Sequence, residues 1–259
     1  MNIIVCLKQV PDTNEVKIDP ITGTLIREGV PSIINPDDKN ALEEALVIKE
    51  NSGANVTVIS MGPPQAEKAL RESLAMGADD AILISDRAFA GADTLATSNA
   101  LAAALRKLDY DIIFAGRQAI DGDTAQVGPE IAEHLDIPQV TYVEEVTING
   151  DTLTVKKAFE DGYEILTVKT PVLLTAIKEL NIPRYMNMAK IVDTCEKEIK
   201  IWTANDIDID RSLLGLKGSP TKVKKSAIKQ AKGQGELINK PFKESAEDIV
   251  SKLKEKHII

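Results

Sequence analysis

The chain has 259 residues, 43% of them apolar, enough to bury a sizeable core in one large domain or in one domain with an appendage. Only 3% of the residues are aromatic and the formal net charge is -9, which argues against a base-stacking platform and against a surface that wraps nucleic acid or lies on an anionic membrane. Cys6 and Cys195 form no CxxC, and His134 and His257 are the only histidines. A cysteine-held cluster from this chain alone, a multi-histidine metal site and a Ser-His-Asp relay are thereby set aside. The apolar start of the chain is too short for a signal-peptide core or a membrane span, and the expected location is the cytoplasm.

Short β-rich runs alternate with amphipathic ones through the first two-thirds of the sequence, the pattern of a parallel sheet with crossover helices. Strands are expected at residues 3–7 (IIVCL), 56–60 (VTVIS), 81–84 (AILI) and 111–115 (DIIFA). Helices are expected at 36–51, 64–75, 94–108 and 124–135. In the first helix Ala41, Leu42, Ala45 and Leu46 make one apolar stripe, and Asp37 and Asp38 stand where the helix dipole favours negative charge. Asp123 and Gln126 have the spacing of a capping box for the last helix. His134 falls within that helix, where a structural or solvent-facing role is expected.

After Val140 the pattern turns antiparallel. Residues 143–148 and 153–158 flank Asn149-Gly150, which predicts a hairpin with a type I′ turn. Residues 165–168 and 172–177 read as further strands. From about Glu196 the chain is polar and lysine-rich, with Gly215, Gly218, Pro220, Gly233 and Gly235 interrupting it, and helical spacing returns at 245–254. The expected division is an α/β nucleotide-binding domain at 1–195 and a C-terminal arm at 196–259. An arm this thin cannot form its own core, so it wraps the domain, docks on a partner or stays mobile, with docking favoured. The fold class is therefore α/β: a doubly wound, mostly parallel sheet with an antiparallel hairpin extension and an arm.

A right-handed doubly wound route through the four strands gives the order 3-2-1-4, so the loops after the first and fourth strands meet at the reversal point. Those loops are 8–12 (KQVPD) and 116–124, with 35–38 and 62–64 nearby. The second runs within GRQAIDGDTAQVGP, residues 116–129, which lacks cysteine, histidine and, after Arg117, any basic residue. It is suited to holding a cofactor and not to covalent chemistry. Backbone N–H groups at a helix start near Thr124 would take a phosphate, Gly122 and Gly128 would allow close approach, and Thr94 and Thr97 would offer hydroxyls. The bland alternative is that the glycines only close turns and the aspartates only cap helices, since neither a Walker A nor a GxGxxG pattern is present.

Residues 155–175, VKKAFEDGYEILTVKTPVLLT, resemble the signature of electron transfer flavoprotein beta subunits: Lys157, the cluster Glu160-Asp161-Gly162, Glu164, Pro171 and Thr175. The likeness extends in order to Val5-Cys6-Leu7-Lys8, Asn35-Pro36, Met61-Gly62-Pro63, LAMGAD at 74–79, QAIDGD at 118–123, LNIPRY at 180–185 and SPTKV at 219–223. The resemblance implies an alpha-subunit partner that carries a mobile FAD and onto which the C-terminal arm reaches. It implies a beta-subunit pocket for either AMP or a second FAD, formed by Cys6, Asn35, Pro36, Asp37, Asp38, Met61, Gly116, Arg117, Gln118, Ala119, Ile120, Asp121, Gly122, Asp123, Thr124, Ala125, Gln126 and Val127. Gly128 joins this set from the phosphate argument above.

The spelling DGDTAQVGP, with Gly122 and Ala125, is similar to the group that binds FAD and bifurcates electrons from NADH to ferredoxin or flavodoxin and, through the alpha-subunit FAD, to an acyl-CoA dehydrogenase. The alternative implied is a non-bifurcating carrier that holds structural AMP. A nucleotide-sensing module is a third reading, disfavoured by the arm and by LNIPRY. Docking on the acyl-CoA dehydrogenase is implied for Leu180, Asn181, Pro183, Arg184 and Tyr185, with Met188 at the position of the apolar anchor. Arg117 either lies near the flavin, stabilising its reduced anion, or pairs with Asp121 or Asp123 to brace its loop. No side chain is expected as nucleophile or general base, because the chemistry belongs to the cofactor. Glu160, Asp161 and Glu164 are expected to be structural.

Overall fold

The computed structural model describes residues 1–12, 31–222 and 235–259, which divide into a main body and a C-terminal segment. In chain order the body contains β1 (Asn2–Cys6), β2 (Gln9–Pro11), β3 (Ser32–Ile34), α1 (Pro36–Ser52), β4 (Asn55–Met61), α2 (Glu67–Met76), β5 (Asp80–Ile84), α3 (Thr94–Leu105) and β6 (Ile112–Gly116). It continues with α4 (Val127–Leu135), β7 (Gln139–Asn149), β8 (Thr152–Phe159), β9 (Gly162–Lys169), β10 (Val172–Ala176), α5 (Met188–Glu196), β11 (Lys200–Trp202) and α6 (Gly215–Gly218). The C-terminal segment carries α7 (Phe242–Glu255).

Nine strands form one sheet in the order β11-β5-β4-β1-β6-β10-β7-β8-β9, while β2 and β3 make a separate ribbon. Pairing is parallel from β11 to β7 and antiparallel across β7, β8 and β9. The run β5-β4-β1-β6 is the 3-2-1-4 order expected from a doubly wound route. Strand residues alternate between two cores. Ile3, Val5, Val58 and Phe114 pack with Leu42, Leu46 and Leu70 of α1 and α2, and Ile4, Ile59 and Ile113 pack with Leu101 of α3 and Ile131 of α4. Burial on both faces explains why these strands read as unbroken apolar runs.

Three readings of the sequence need correction. The strand expected at 172–177 is β10 (Val172–Ala176), which lies between β6 and β7 and runs parallel to both, outside the antiparallel pattern expected after Val140. All five residues of β10 are buried, so the antiparallel pattern begins only where β7 leaves β10 near Val143. The hairpin turn centres on Gly150-Asp151, between the paired Asn149 and Thr152. Of these two central residues only Gly150 has a positive φ, 67°, so it is not a type I′ turn.

The body also extends past residue 195. Ile199, Ala204, Ile207 and Leu214 are buried, β11 pairs with β5, and the Leu216 N–H donates to the Ala90 carbonyl at 3.0 Å. Residues 196–222, expected in the arm, therefore belong to the α/β body, because Ile199 joins its first core and Ala204, Ile207 and Leu214 complete the second. Val223, Lys224, Lys225, Lys229, Lys232 and Gly233 lie outside the described residues. In the C-terminal segment α7 begins three residues earlier than its spacing predicts, and none of its residues is buried. Among the described residues no helix is long and apolar enough to cross a membrane.

Phe114 is fully buried in β6, next to the loop that leaves the sheet at Gly116. Replacing it with alanine is expected to cost about 3–5 kcal/mol through lost burial and the cavity left behind. Urea unfolding of wild type and Phe114→Ala measures this, and a loss under about 1 kcal/mol would show that Phe114 is not packed in the core against α1 and α2 as described.

Candidate functional site

Three chain segments converge where β1 and β6 lie side by side: residues 7–12, residues 35–38 at the start of α1, and residues 116–126 between β6 and α4. Their junction is the Asp38 carboxyl group. One of its oxygens accepts the Lys8 N–H at 2.7 Å and the other accepts the Gly116 N–H at 2.9 Å. A side chain at 116 is impossible in this arrangement, since its Cβ would stand 2.2 Å from the Asp38 oxygen.

Asn35 supplies the second tie. It occupies the N-cap of α1 yet makes no capping bond with its side chain. Its amide instead donates to the Gln118 carbonyl at 2.8 Å, and its side-chain oxygen accepts the Ile120 N–H at 3.0 Å. Its own N–H donates to the Lys8 carbonyl at 2.9 Å. Lys8 in turn reaches Asp121, Nζ to Oδ1, at 2.6 Å. The 116–121 segment is thus held to α1 and to the β1 loop by polar contacts on both sides.

Burial governs the charges here. It pushes the Asp38 carboxyl up to about 7, against the lowering effect of the Lys8 and Gly116 N–H donors. It also raises Asp37, with the Arg117 guanidinium partly opposing it. Cys6 is pushed up to about 12 by burial and by Asp38, so its thiol stays neutral and inert. Arg117 pairs with neither Asp121 nor Asp123. Its Nε lies 3.4 Å from Asp37 Oδ2, its guanidinium lies 5.9 Å from the Tyr142 ring centre, and Asp123 accepts from Gln118 at 3.0 Å. Among the described residues, Arg117 Nε and Asp37 Oδ2 are buried without a hydrogen-bond partner.

The loop before α4 has an unusual backbone. Asp123 and Ala125 have φ of 50° and 53°, left-handed values that non-glycine residues adopt at a cost. The helix therefore starts at Val127 and not at Thr124, with Gln126 at its N-cap and no side-chain cap, so the expected Asp123 capping box does not form. Among the described residues, no protein acceptor meets the backbone N–H groups of Thr124, Ala125, Gln126, Val127 or Gly128. Nothing lies within 4 Å of where a Gly122 side chain would be. Bare N–H groups at a helix mouth are the chemistry by which proteins hold anions.

The other expected site residues divide. Pro36 is the exposed first residue of α1, and Cys6 and Met61 pack in the core on the α3–α4 side. Thr94 is committed to bracing α4, bonded to Gln126 at 3.0 Å and Glu130 at 3.2 Å. Thr97 stands half-buried in α3, one turn further from its start. Gly128 serves packing, because a Cβ there would meet Thr175 of β10 at 2.7 Å. Leu180, Asn181, Pro183, Arg184, Tyr185 and Met188 are not brought to this junction; Asn181 and Arg184 bond to the flank of α1. His134 lies 3.2 Å from the Ser98 hydroxyl, a structural position. Tyr142 carries no sequence signal: its N–H donates to the signature residue Thr175 at 3.2 Å, at a φ of 58°. A strained tyrosine leaves no mark in a sequence.

The Asp38 junction predicts a pH effect of definite sign. In the folded chain the carboxyl holds its proton up to about pH 7, whereas the unfolded chain releases it near pH 4. The folded state therefore binds more protons between these values, and the contribution of Asp38 to stability falls as pH rises through that window. Asp38→Asn, which loses an acceptor, is expected to cost about 1–3 kcal/mol near pH 5 and less near pH 8. Urea unfolding at both pH values measures the gap, and a gap that widens with pH contradicts the assignment.

Residues 22–207 match the family model described as the electron transfer flavoprotein domain. Over the full length of both chains, the protein is 74% identical to the electron transfer flavoprotein subunit beta of Clostridium acetobutylicum and, over 260 aligned positions, 64% identical to that of Thermoanaerobacterium thermosaccharolyticum. It is 60% identical, again over both full chains, to the caffeyl-CoA reductase-Etf complex subunit CarD of Acetobacterium woodii. With the motif resemblance, the doubly wound fold and the anion-ready loop at its switch point, these similarities establish that the chain belongs to the electron transfer flavoprotein family, as a beta subunit.

Proposed function

We propose that this beta subunit binds FAD at the switch-point cleft and, with an FAD-bearing alpha subunit, takes part in NADH-dependent electron bifurcation. One branch leads to ferredoxin or flavodoxin and the other to an acyl-CoA dehydrogenase. The observation that carries the reading is the row of five N–H groups from Thr124 to Gly128 that meet no acceptor among the described residues, beside the open space at Gly122. A pyrophosphate, with two charged phosphoryl groups, uses such a row more fully than a single phosphate does. Arg117, whose Nε lies 3.4 Å from Asp37 Oδ2, adds a guanidinium at the start of the same loop, suited to the acceptors of a large polar cofactor.

When bound, FAD would supply hydride acceptance from NADH and one-electron transfer onward. The chain's own part is to bind and orient. Asn35, Asp38 and Lys8 fix the 116–121 loop, the α4 mouth takes the phosphates, and Arg117, half-exposed beside Asp37, places a positive charge against the ligand. The name of the Acetobacterium relative, a subunit of a caffeyl-CoA reductase complex, favours an acyl-CoA oxidoreductase as the terminal partner. Ile182, Tyr185 and Met188 are 92%, 95% and 78% exposed and form the docking face for that enzyme. The helix α7, with no buried residue, supports docking of the C-terminal segment on the alpha subunit. The location proposed is the cytoplasm. The second reading, a single-path carrier with AMP in the cleft, needs only part of the N–H row.

A coupled assay on the purified heterodimer tests the proposal. NADH is expected to reduce ferredoxin only while an acyl-CoA dehydrogenase and an enoyl-CoA draw off the other half of the electrons. Enoyl-CoA reduction that proceeds at full rate without any ferredoxin reduction would contradict bifurcation and favour the single-path carrier.

A further inference from the structure

Residues 181–184 cross the flank of α1 through contacts stronger than a surface loop requires. The Arg184 N–H donates to Glu43 Oε2 at 2.9 Å, its Nε donates to the same oxygen at 2.9 Å, and its Nη2 donates to Glu43 Oε1 at 2.9 Å. The other arm of the guanidinium, Nη1, reaches Glu50 Oε1 at 2.5 Å. Glu43 is only 6% exposed, and Arg184 is its one salt-bridge partner among the described residues. Removing the arginine would leave a buried carboxylate uncompensated.

Asn181 adds an anchor, donating to the Asn40 carbonyl and to Glu44, both at 3.0 Å. Further on, the Asn187 N–H donates to the Ala75 carbonyl at the end of α2, also at 3.0 Å. The side chains of Asn181 and Arg184 are thus turned inward and bonded, while Ile182 and Tyr185 beside them are exposed.

We infer that Arg184 is a positioning residue for partner docking: its fork across Glu43 and Glu50 holds Ile182, Tyr185 and Met188 outward as a preformed face for the acyl-CoA dehydrogenase. This rests on the docking reading above. A planar, bidentate guanidinium fixes both position and direction, which a lysine cannot do. A preformed face loses less conformational freedom on association, so its loss appears in partner affinity and not in the electron-transfer step.

The test uses the purified heterodimer and an acyl-CoA dehydrogenase from the same organism. Arg184→Ala is expected to raise the KM for that enzyme about tenfold, with kcat at saturating partner and flavin content unchanged. Arg184→Lys is expected to lie between wild type and Arg184→Ala, and hydrogen exchange at 181–188 is expected to quicken in both. Glu50→Gln loosens one arm of the fork and leaves Glu43 paired, so a smaller rise in KM is expected of it even where Arg184→Ala does not fold. Met188→Asp tests the docking face itself. A raised KM with Met188→Asp but an unchanged one with the Arg184 and Glu50 variants would overturn the positioning role, and an unchanged KM in all of them would overturn the docking reading.

Discussion

The carboxyl group of Asp38, shared between the backbone N–H groups of Lys8 and Gly116, is the contact on which the candidate site depends. It joins the ends of β1 and β6, adjacent strands whose connections depart to opposite sides of the sheet. Backbone N–H groups at strand ends must find acceptors, and here a helix residue supplies both. Burial holds that carboxyl near its neutral form, which is the cost of seating it at the centre of three loops. Asn35 extends the same logic, giving up its capping bond to tie down Gln118 and Ile120.

One helix thereby carries two duties. The first turn of α1 fixes the loop proposed to bind FAD, and its flank, through Asn40, Glu43 and Glu50, fixes the segment proposed to meet the dehydrogenase. Cofactor loop and docking segment are mounted on a common rigid element, which keeps both in a fixed relation without direct contact. The Cys6 thiol is buried and neutral, and Asp38, Asp121 and Asp123 are bonded into the scaffold. Position and field are what such a subunit contributes to cofactor chemistry.

Much of this was legible in the sequence because parallel strands and amphipathic helices obey simple periodicities. The order β5-β4-β1-β6, the apolar stripe of α1 and the convergence of residues 8–12, 35–38 and 116–124 all follow from them. The central place of β10 was not read, although VLLTA is the unbroken apolar run of a strand covered on both faces. The start of α4 was misplaced because Asp123 and Ala125 take left-handed conformations that their residue types do not announce. Thr94 has the right chemistry for a ligand contact but is claimed by Gln126 and Glu130. Arg117 turned to Asp37 because Asp121 and Asp123 already had partners, and such competition is settled only in three dimensions. The body runs on to 222, past the expected boundary at 195, because four isolated apolar residues among polar ones leave a weak pattern, yet Ile199 adds to the first core and Ala204, Ile207 and Leu214 close the second.

The most direct measurement is a count of the nucleotides released by denaturing the purified heterodimer, separated and quantified against its protein content. The account predicts close to two FAD per heterodimer and no AMP, one FAD being held by the 116–128 loop of this chain. One FAD with one AMP would contradict it, leaving this subunit as a scaffold in a single-path carrier.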